Sequence, residues 1–225
     1  MKYKLCVSLT ESSTKACIDF VRFSNSDLIE HRIDFMDRID SLADIYAACS
    51  KPIIATCRSQ IDGGRFHGTE ENRVDLLLNA VTAGASYVDI EVDTNPQLFA
   101  HVREKADKED CRLILSKHYH SHTPNDSVLL SMLDRLDTSG GHIIKLVSTP
   151  RTTSDCLRVL QLYSEEKKPN LPLVAFGMGT LGRFTRVSAL VLGAPFMYVS
   201  QDSGEAAAAG QVSLSDMRAI MEVLQ

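Results

Sequence analysis

Eight short β-rich runs separated by amphipathic helical patterns fill the 225 residues from end to end, and that alternation leaves few folds open. Strand, helix, strand in succession makes neighbouring strands parallel, because each strand restarts from the same sheet edge after a crossover. The runs are YKLCVSL near residue 5, DLIEHRI near 30, PIIATC near 55, SYVDIEV near 90, RLILS near 114, HIIKLV near 145, LPLVAF near 174 and PFMYV near 197. Between them, Thr69 caps a helix with Val74, Leu77, Leu78 and Val81 on one side, and Cys156, Val159, Leu160 and Tyr163 form another stripe. Thr123-Pro124 opens a third with Leu129, Met132, Leu133 and Leu136, and Ser213 with Asp216 opens a last one that buries Met217, Ile220, Met221 and Leu224. Eight such units at this length, with no G-x-G-x-x-G after the first strand, predict a closed (β/α)8 TIM barrel rather than an open doubly wound sheet. It would form one domain over residues 1–225.

Composition removes several function classes. The chain is 44% hydrophobic and 24% charged, as an ordinary globule is, and its net charge of -5 with no basic face argues against nucleic acid or an acidic membrane surface as a partner. Val187 to Gln201, the longest uncharged stretch, is broken by Gly193 and Pro195 and is too short to span a bilayer. The N-terminal MKYKLCVSL reads as a first strand rather than a signal peptide, so a cytoplasmic protein is expected. Cys6, Cys17, Cys49, Cys57, Cys111 and Cys156 show no C-x-x-C spacing and read as reduced packing residues.

Chemistry is suggested at two successive strand ends. His118 closes CRLILSKH and Lys145 closes the apolar run HIIKLV, so a proton carrier and an amine would stand side by side at one C-terminal sheet edge, the layout of a Schiff-base site. Ile143, Ile144, Leu146 and Val147 flank Lys145 with apolar surface, and burial disfavours an ammonium and leaves an amine able to attack a carbonyl. Strand alternation puts Glu30, Arg32 and Asp34 on one face of DLIEHRID, and Asp89 and Glu91 opposite Val88, Ile90 and Val92. Their charged sides would point into the barrel, as ligand contacts or as a structural ion-pair layer. The triplet His118, His120 and His122 invites a metal reading, but the further His and Asp ligands a barrel hydrolase needs do not follow, and no metal is expected. The stretch GMGTLGR has the look of a phosphate cradle.

Taken in order, LIEHRID, TCRSQIDGGRFHG, VDIEV, LSKH, IIKLV, GMGTLGRFTRV and AAGQVS resemble the type I 3-dehydroquinate dehydratases, the Schiff-base enzymes of the shikimate pathway, over nearly the whole chain. That resemblance implies a lyase acting on 3-dehydroquinate with no cofactor. Lys145 would form the iminium, His118 would move the proton, and Asp62 would orient the histidine where the family usually has glutamate. Arg186 would bind the substrate carboxylate, Glu30, Arg58 and Gln211 the ring hydroxyls, Met178 would pack on the ring, and Arg32 would join the substrate-binding set. The chain departs from the pattern in several places. Tyr119 replaces an acidic or amide residue and Lys117 an Asn, His or Tyr. His120 stands where an aromatic apolar residue is usual, and EAAAAGQ replaces the lid sequence S-A-P-G-Q. The family's N-terminal hairpin is expected to be missing, with the barrel bottom closed by packing or by a partner subunit, which leaves room for a homodimer. The alternatives are another Schiff-base barrel enzyme of the aldolase kind, and an inactive barrel that binds a shikimate-like acid.

Overall fold

The structure is a computed structural model and describes residues 3–202 and 207–224. Eight strands alternate with eight helices: β1 (Leu5–Leu9), α1 (Thr14–Phe23), β2 (Leu28–Arg32), α2 (Leu42–Ala47), β3 (Ile53–Thr56), α3 (Glu70–Thr82), β4 (Tyr87–Glu91), α4 (Pro96–Lys108), β5 (Arg112–Tyr119), α5 (Asp126–Thr138), β6 (Ile143–Ser148), α6 (Thr153–Leu160), β7 (Leu173–Gly177), α7 (Gly179–Val191), β8 (Met197–Val199) and α8 (Leu214–Val223). The strands form one sheet in the order β7-β6-β5-β4-β3-β2-β1-β8. This is the strand and helix succession that the sequence predicts. Among the described residues no helix is long and apolar enough to cross a membrane.

The chain divides into two compact units, Ser8–Ile114 and Met1–Val7 together with Leu115–Gln225. In the first unit, β2 pairs with β3 in the register Glu30↔Ile54 and Arg32↔Thr56, and β3 pairs with β4 in the register Thr56↔Asp89. Helix starts follow local chemistry. The hydroxyls of Ser13, Ser41 and Thr69 accept from backbone N–H groups three residues on, and Asn95 caps α4 ahead of Pro96, whose missing N–H is no loss in a first turn. In the second unit, β6 pairs with β7 in the register Lys145↔Val174, and the first residues of β1 pair with β8 as Cys6↔Tyr198.

Two sequence expectations need correction here. Thr123 does not cap α5. Its hydroxyl is buried against Ser148 Oγ at 2.8 Å, and Asn125 Oδ1 instead accepts from Val128 N. The stripe of α8 is only half buried: Met217 and Met221 are in the core, whereas Ile220 is 39% and Leu224 51% exposed, because the tail of the helix turns part of that face outward. All six cysteines are free thiols and five are buried. Burial pushes the thiols of Cys17, Cys57 and Cys111 up to about 12, with nearby acids adding to the effect.

Behind β2, His31 is buried between α1 and α2. Its Nδ1 lies 3.2 Å from Tyr46 Oη, its Nε2 lies 3.8 Å from Cys17 Sγ, and the Tyr46 ring meets it edge-on. Burial lowers the imidazole to about 4, against a smaller pull upward from Asp34. The unfolded chain therefore binds this proton from about pH 6.5 downward while the folded chain refuses it until about pH 4. The contribution to stability is intact above about pH 6.5 and declines as pH falls through that window. Denaturant unfolding of the wild type and of His31→Gln should differ in slope between pH 6.5 and 4, by at most about 1.4 kcal/mol per pH unit. Equal slopes would show that His31 does not titrate this way.

Candidate active site

In the Ser8–Ile114 unit, four of the predicted site residues come from β2 and the loop after β3. Glu30 is buried and accepts from Ser8 Oγ at 2.7 Å and Thr56 Oγ1 at 3.1 Å. Arg32 makes a two-pronged pair with Asp34, Nε to Oδ1 at 2.9 Å and Nη2 to Oδ2 at 2.7 Å, and Asp34 also accepts from the backbone of Arg65. Burial opposes ionisation of Asp34, but the guanidinium and that N–H outweigh it and hold the carboxyl below its ordinary range. Arg32 and Arg65 both lie over the ring of Phe35, at 4.7 and 4.1 Å from its centroid.

Arg58 is fixed from two sides. Its Nη2 donates to Asp89 Oδ1 at 2.9 Å and its Nη1 to Glu91 Oε1 at 2.5 Å. Burial works against its charge, yet the two carboxylates hold it a cation well above the usual range. Glu91 also accepts from Arg73 Nη1 at 2.7 Å, and Arg73 in turn donates to the Cys57 carbonyl and Thr94 Oγ1. The interior charges of β4 thus form an ion-pair layer, one of the two roles expected for Asp89 and Glu91. Arg73 escaped the sequence reading, although its place one residue before Val74 and four before Leu77 puts it on the buried face of α3. Asp62 sits in the turn after β3, where Ser59 Oγ donates to its carboxylate at 3.0 Å. It lines a cavity of about 520 Å³ with Ser59, Phe66, Thr69, Arg73 and Glu91.

The second unit holds the other five. Lys145 does not end its strand as the sequence suggests but lies inside β6, which runs on to Ser148, and it is 5% exposed between Ile144 and Leu146, which are fully buried. Its Nζ stands 4.1 Å from the centroid of the Tyr198 ring. His118 is half-buried near the end of β5, with its ring parallel to that of exposed His120 at 5.8 Å. Exposed His122 contacts Ser121 Oγ instead. Met178 is the residue before α7, and its N–H donates to Ser148 O at 2.7 Å.

The GMGTLGR stretch is built for close packing. A Cβ on Gly182 would collide with the backbone of Gly177, so the first turn of α7 lies directly on the end of β7, and Thr185 Oγ1 ties the two together by accepting from Gly177 N and donating to Gly182 O. This seating carries Arg186, 1% exposed, to a position over the Phe176 ring at 4.1 Å, with Nη1 donating to Tyr198 O at 3.5 Å. Gln211 is buried at the end of the expected lid. Of that lid, Gly204, Glu205 and Ala206 lie outside the described residues, while Ala209 O accepts from Gly179 N. Gly210, at φ 80°, approaches the backbone of Gly179 too closely for a side chain. Tyr198 and Phe176 also escaped the sequence reading, where they figured only as strand residues.

Known proteins give the context for this geometry. Residues 5–225 match the family model described as Type I 3-dehydroquinase. The 3-dehydroquinate dehydratase of Desulfotalea psychrophila (strain LSv54 / DSM 12343) is 34% identical over 218 residues, 96% of each protein, and that of Pyrococcus abyssi (strain GE5 / Orsay) is 31% identical over 212 residues, 94% of each. The crystal structure of 3-dehydroquinate dehydratase from Geobacillus kaustophilus HTA426 matches at a TM-score of 0.90 and 25% identity, covering 100% of this chain and 92% of that one. With the strand order, this gives the fold as the (β/α)8 barrel.

The ion-pair layer makes a stability prediction. Removing one partner of a buried pair strands the other charge, so Arg73→Met should destabilise the protein by about 3–5 kcal/mol in urea unfolding. Arg73→Met with Glu91→Gln should recover part of that loss. If Arg73→Met were as stable as the parent, Arg73 would have no part in holding Glu91.

Proposed function

Because the chain belongs to the type I 3-dehydroquinase family, we propose that it dehydrates 3-dehydroquinate to 3-dehydroshikimate through an imine on Lys145. The observation that carries the reading is a lysine enclosed in the apolar middle of β6, with its amine over an aromatic face. Lys145 Nζ adds to the C3 ketone, and the resulting iminium acts as an electron sink that makes the C2 proton removable. His118 takes that proton, and after water leaves from C1 it assists hydrolysis of the product imine. An imidazole suits both steps because its ordinary pKa lies near working pH.

The remaining roles follow chemistry and resemblance. Asp62 orients the base. Arg186, whose planar guanidinium suits two-pronged recognition of a carboxylate, takes the substrate carboxylate. Glu30, Arg58 and Gln211 bind ring hydroxyls, Met178 packs on the ring, and Arg32, whose Nε and Nη2 are given to Asp34, contributes through Nη1. No metal or organic cofactor enters the proposed reaction. We read residues 1–225 as one catalytic domain of a cytoplasmic enzyme, with a homodimer as its proposed assembly.

Borohydride added during turnover should reduce the imine and leave one ligand adduct on Lys145, read by mass spectrometry of the digested protein. Lys145→Ala should trap nothing and lose turnover by several orders of magnitude. His118→Ala should still trap ligand on Lys145 while turning over on the order of 10²–10⁴-fold more slowly, since imine formation and proton abstraction are separate steps. An adduct on another lysine, or an active Lys145→Ala, would overturn the assignment.

A further inference from the structure

Three aromatic rings gather along β7 and β8, and the lysine amine and an arginine guanidinium stand on two of them. Tyr198 meets Phe196 edge-on at 5.4 Å and Phe176 at 6.3 Å, Lys145 Nζ lies 4.1 Å from the Tyr198 centroid, and the Arg186 guanidinium lies 4.1 Å from that of Phe176. Tyr198 is 2% exposed and Lys145 5%, so the contact is made away from bulk water, where a cation is drawn most strongly to the negative face of a ring. The two neighbouring rings fix the plane of Tyr198, and the strand register fixes its height.

We propose that the face of Tyr198 is the cation-binding surface on which the Lys145 iminium forms, which makes Tyr198 a catalytic residue of the reaction. The inference rests on Lys145 being the condensing amine. When the nitrogen lone pair forms the C–N bond, the ketone oxygen takes the proton the nitrogen releases and a neutral carbinolamine results. A second proton, from an acid in the site, lets the hydroxyl leave as water. The nitrogen lone pair then closes the C=N bond, leaving one hydrogen and a positive charge on nitrogen. That step creates a full charge at the atom held over the ring. The ring therefore stabilises the iminium, and the transition state leading to it, relative to the neutral carbinolamine. The same face restrains the later loss of the C2 proton, which returns the nitrogen to a neutral enamine. Tyr198 sets the balance between forming the electron sink and discharging it.

A series of unnatural residues separates this role from packing. Tyr198→Phe serves as the reference, followed by phenylalanines carrying one, two and three ring fluorines at the same position, each of which drains charge from the face with little change in volume. The readouts are the fraction of Lys145 trapped by borohydride at saturating 3-dehydroquinate, kcat/KM, and the Tm of each variant. The logarithm of the trapped fraction should fall in proportion to the number of fluorines, by about tenfold across the series, while Tm stays level. A flat series with normal trapping would overturn the proposal and leave Tyr198 as a packing residue. Failure of the wild-type enzyme to trap ligand on Lys145 would overturn the proposal by a different route, by removing the lysine itself from the chemistry.

Discussion

A cation enclosed by a parallel sheet has to have its charge answered where it stands, and much of the placement of functional side chains in this chain follows from that. Moving an ion out of water is unfavourable by several kcal/mol even after the protein relaxes, so each buried guanidinium or ammonium needs a partner with matched geometry. The two compact units do this in different chemistries. In residues 8–114, carboxylates supply it: Arg32 to Asp34, Arg58 to Asp89 and Glu91, Arg73 to Glu91. In the other unit, Lys145 and Arg186 lie over aromatic faces. The difference bears on function. A carboxylate keeps the arginine charged but brings the net charge of the pair close to zero, whereas a ring holds a cation without cancelling its net charge. In the proposed reaction, rings therefore suit a lysine that forms a charged intermediate and an arginine that meets an anion.

Much of this architecture is legible in the sequence because it is written in periodicity. All eight strands fall in the runs where alternation with amphipathic helices places them, and the interior charges of SYVDIEV turn out to face Arg58, as a two-residue period requires. Local rules fail where two neighbours compete for one role. Thr123 and Asn125 both suit a helix cap, and the choice is made by a distant partner, Ser148, which claims the threonine hydroxyl. Pattern alone could not show that the tail of α8 leaves Ile220 and Leu224 exposed, since that depends on how the helix lies and not on its own spacing.

The candidate site divides along the same line. Residue types with unmistakable chemistry, such as Lys145, His118 and Arg186, can be picked out one by one. Their supports cannot. Tyr198 sits in a strand of three residues, too short to declare which side faces which neighbour, and its contact with Lys145 joins positions far apart in the chain. The spacing of Arg73 places it on the buried face of α3, but its partner Glu91 is not legible until the fold brings the two together. Residue type and spacing nominate the groups proposed to react, and long-range packing decides which groups hold them.

The buried thiols carry a consequence of another kind. Cys17, Cys57 and Cys111 stand on α1, after β3 and before β5, each ionising only near pH 12. A thiol reacts with alkylating reagents as its thiolate, so at neutral pH each is inert for as long as its own stretch of wall stays shut. The rate at which each one is consumed is then a clock for local opening, and the three clocks read different parts of the 8–114 unit in the intact molecule. The buried thiols are thus a set of internal gauges of breathing already present in the chain.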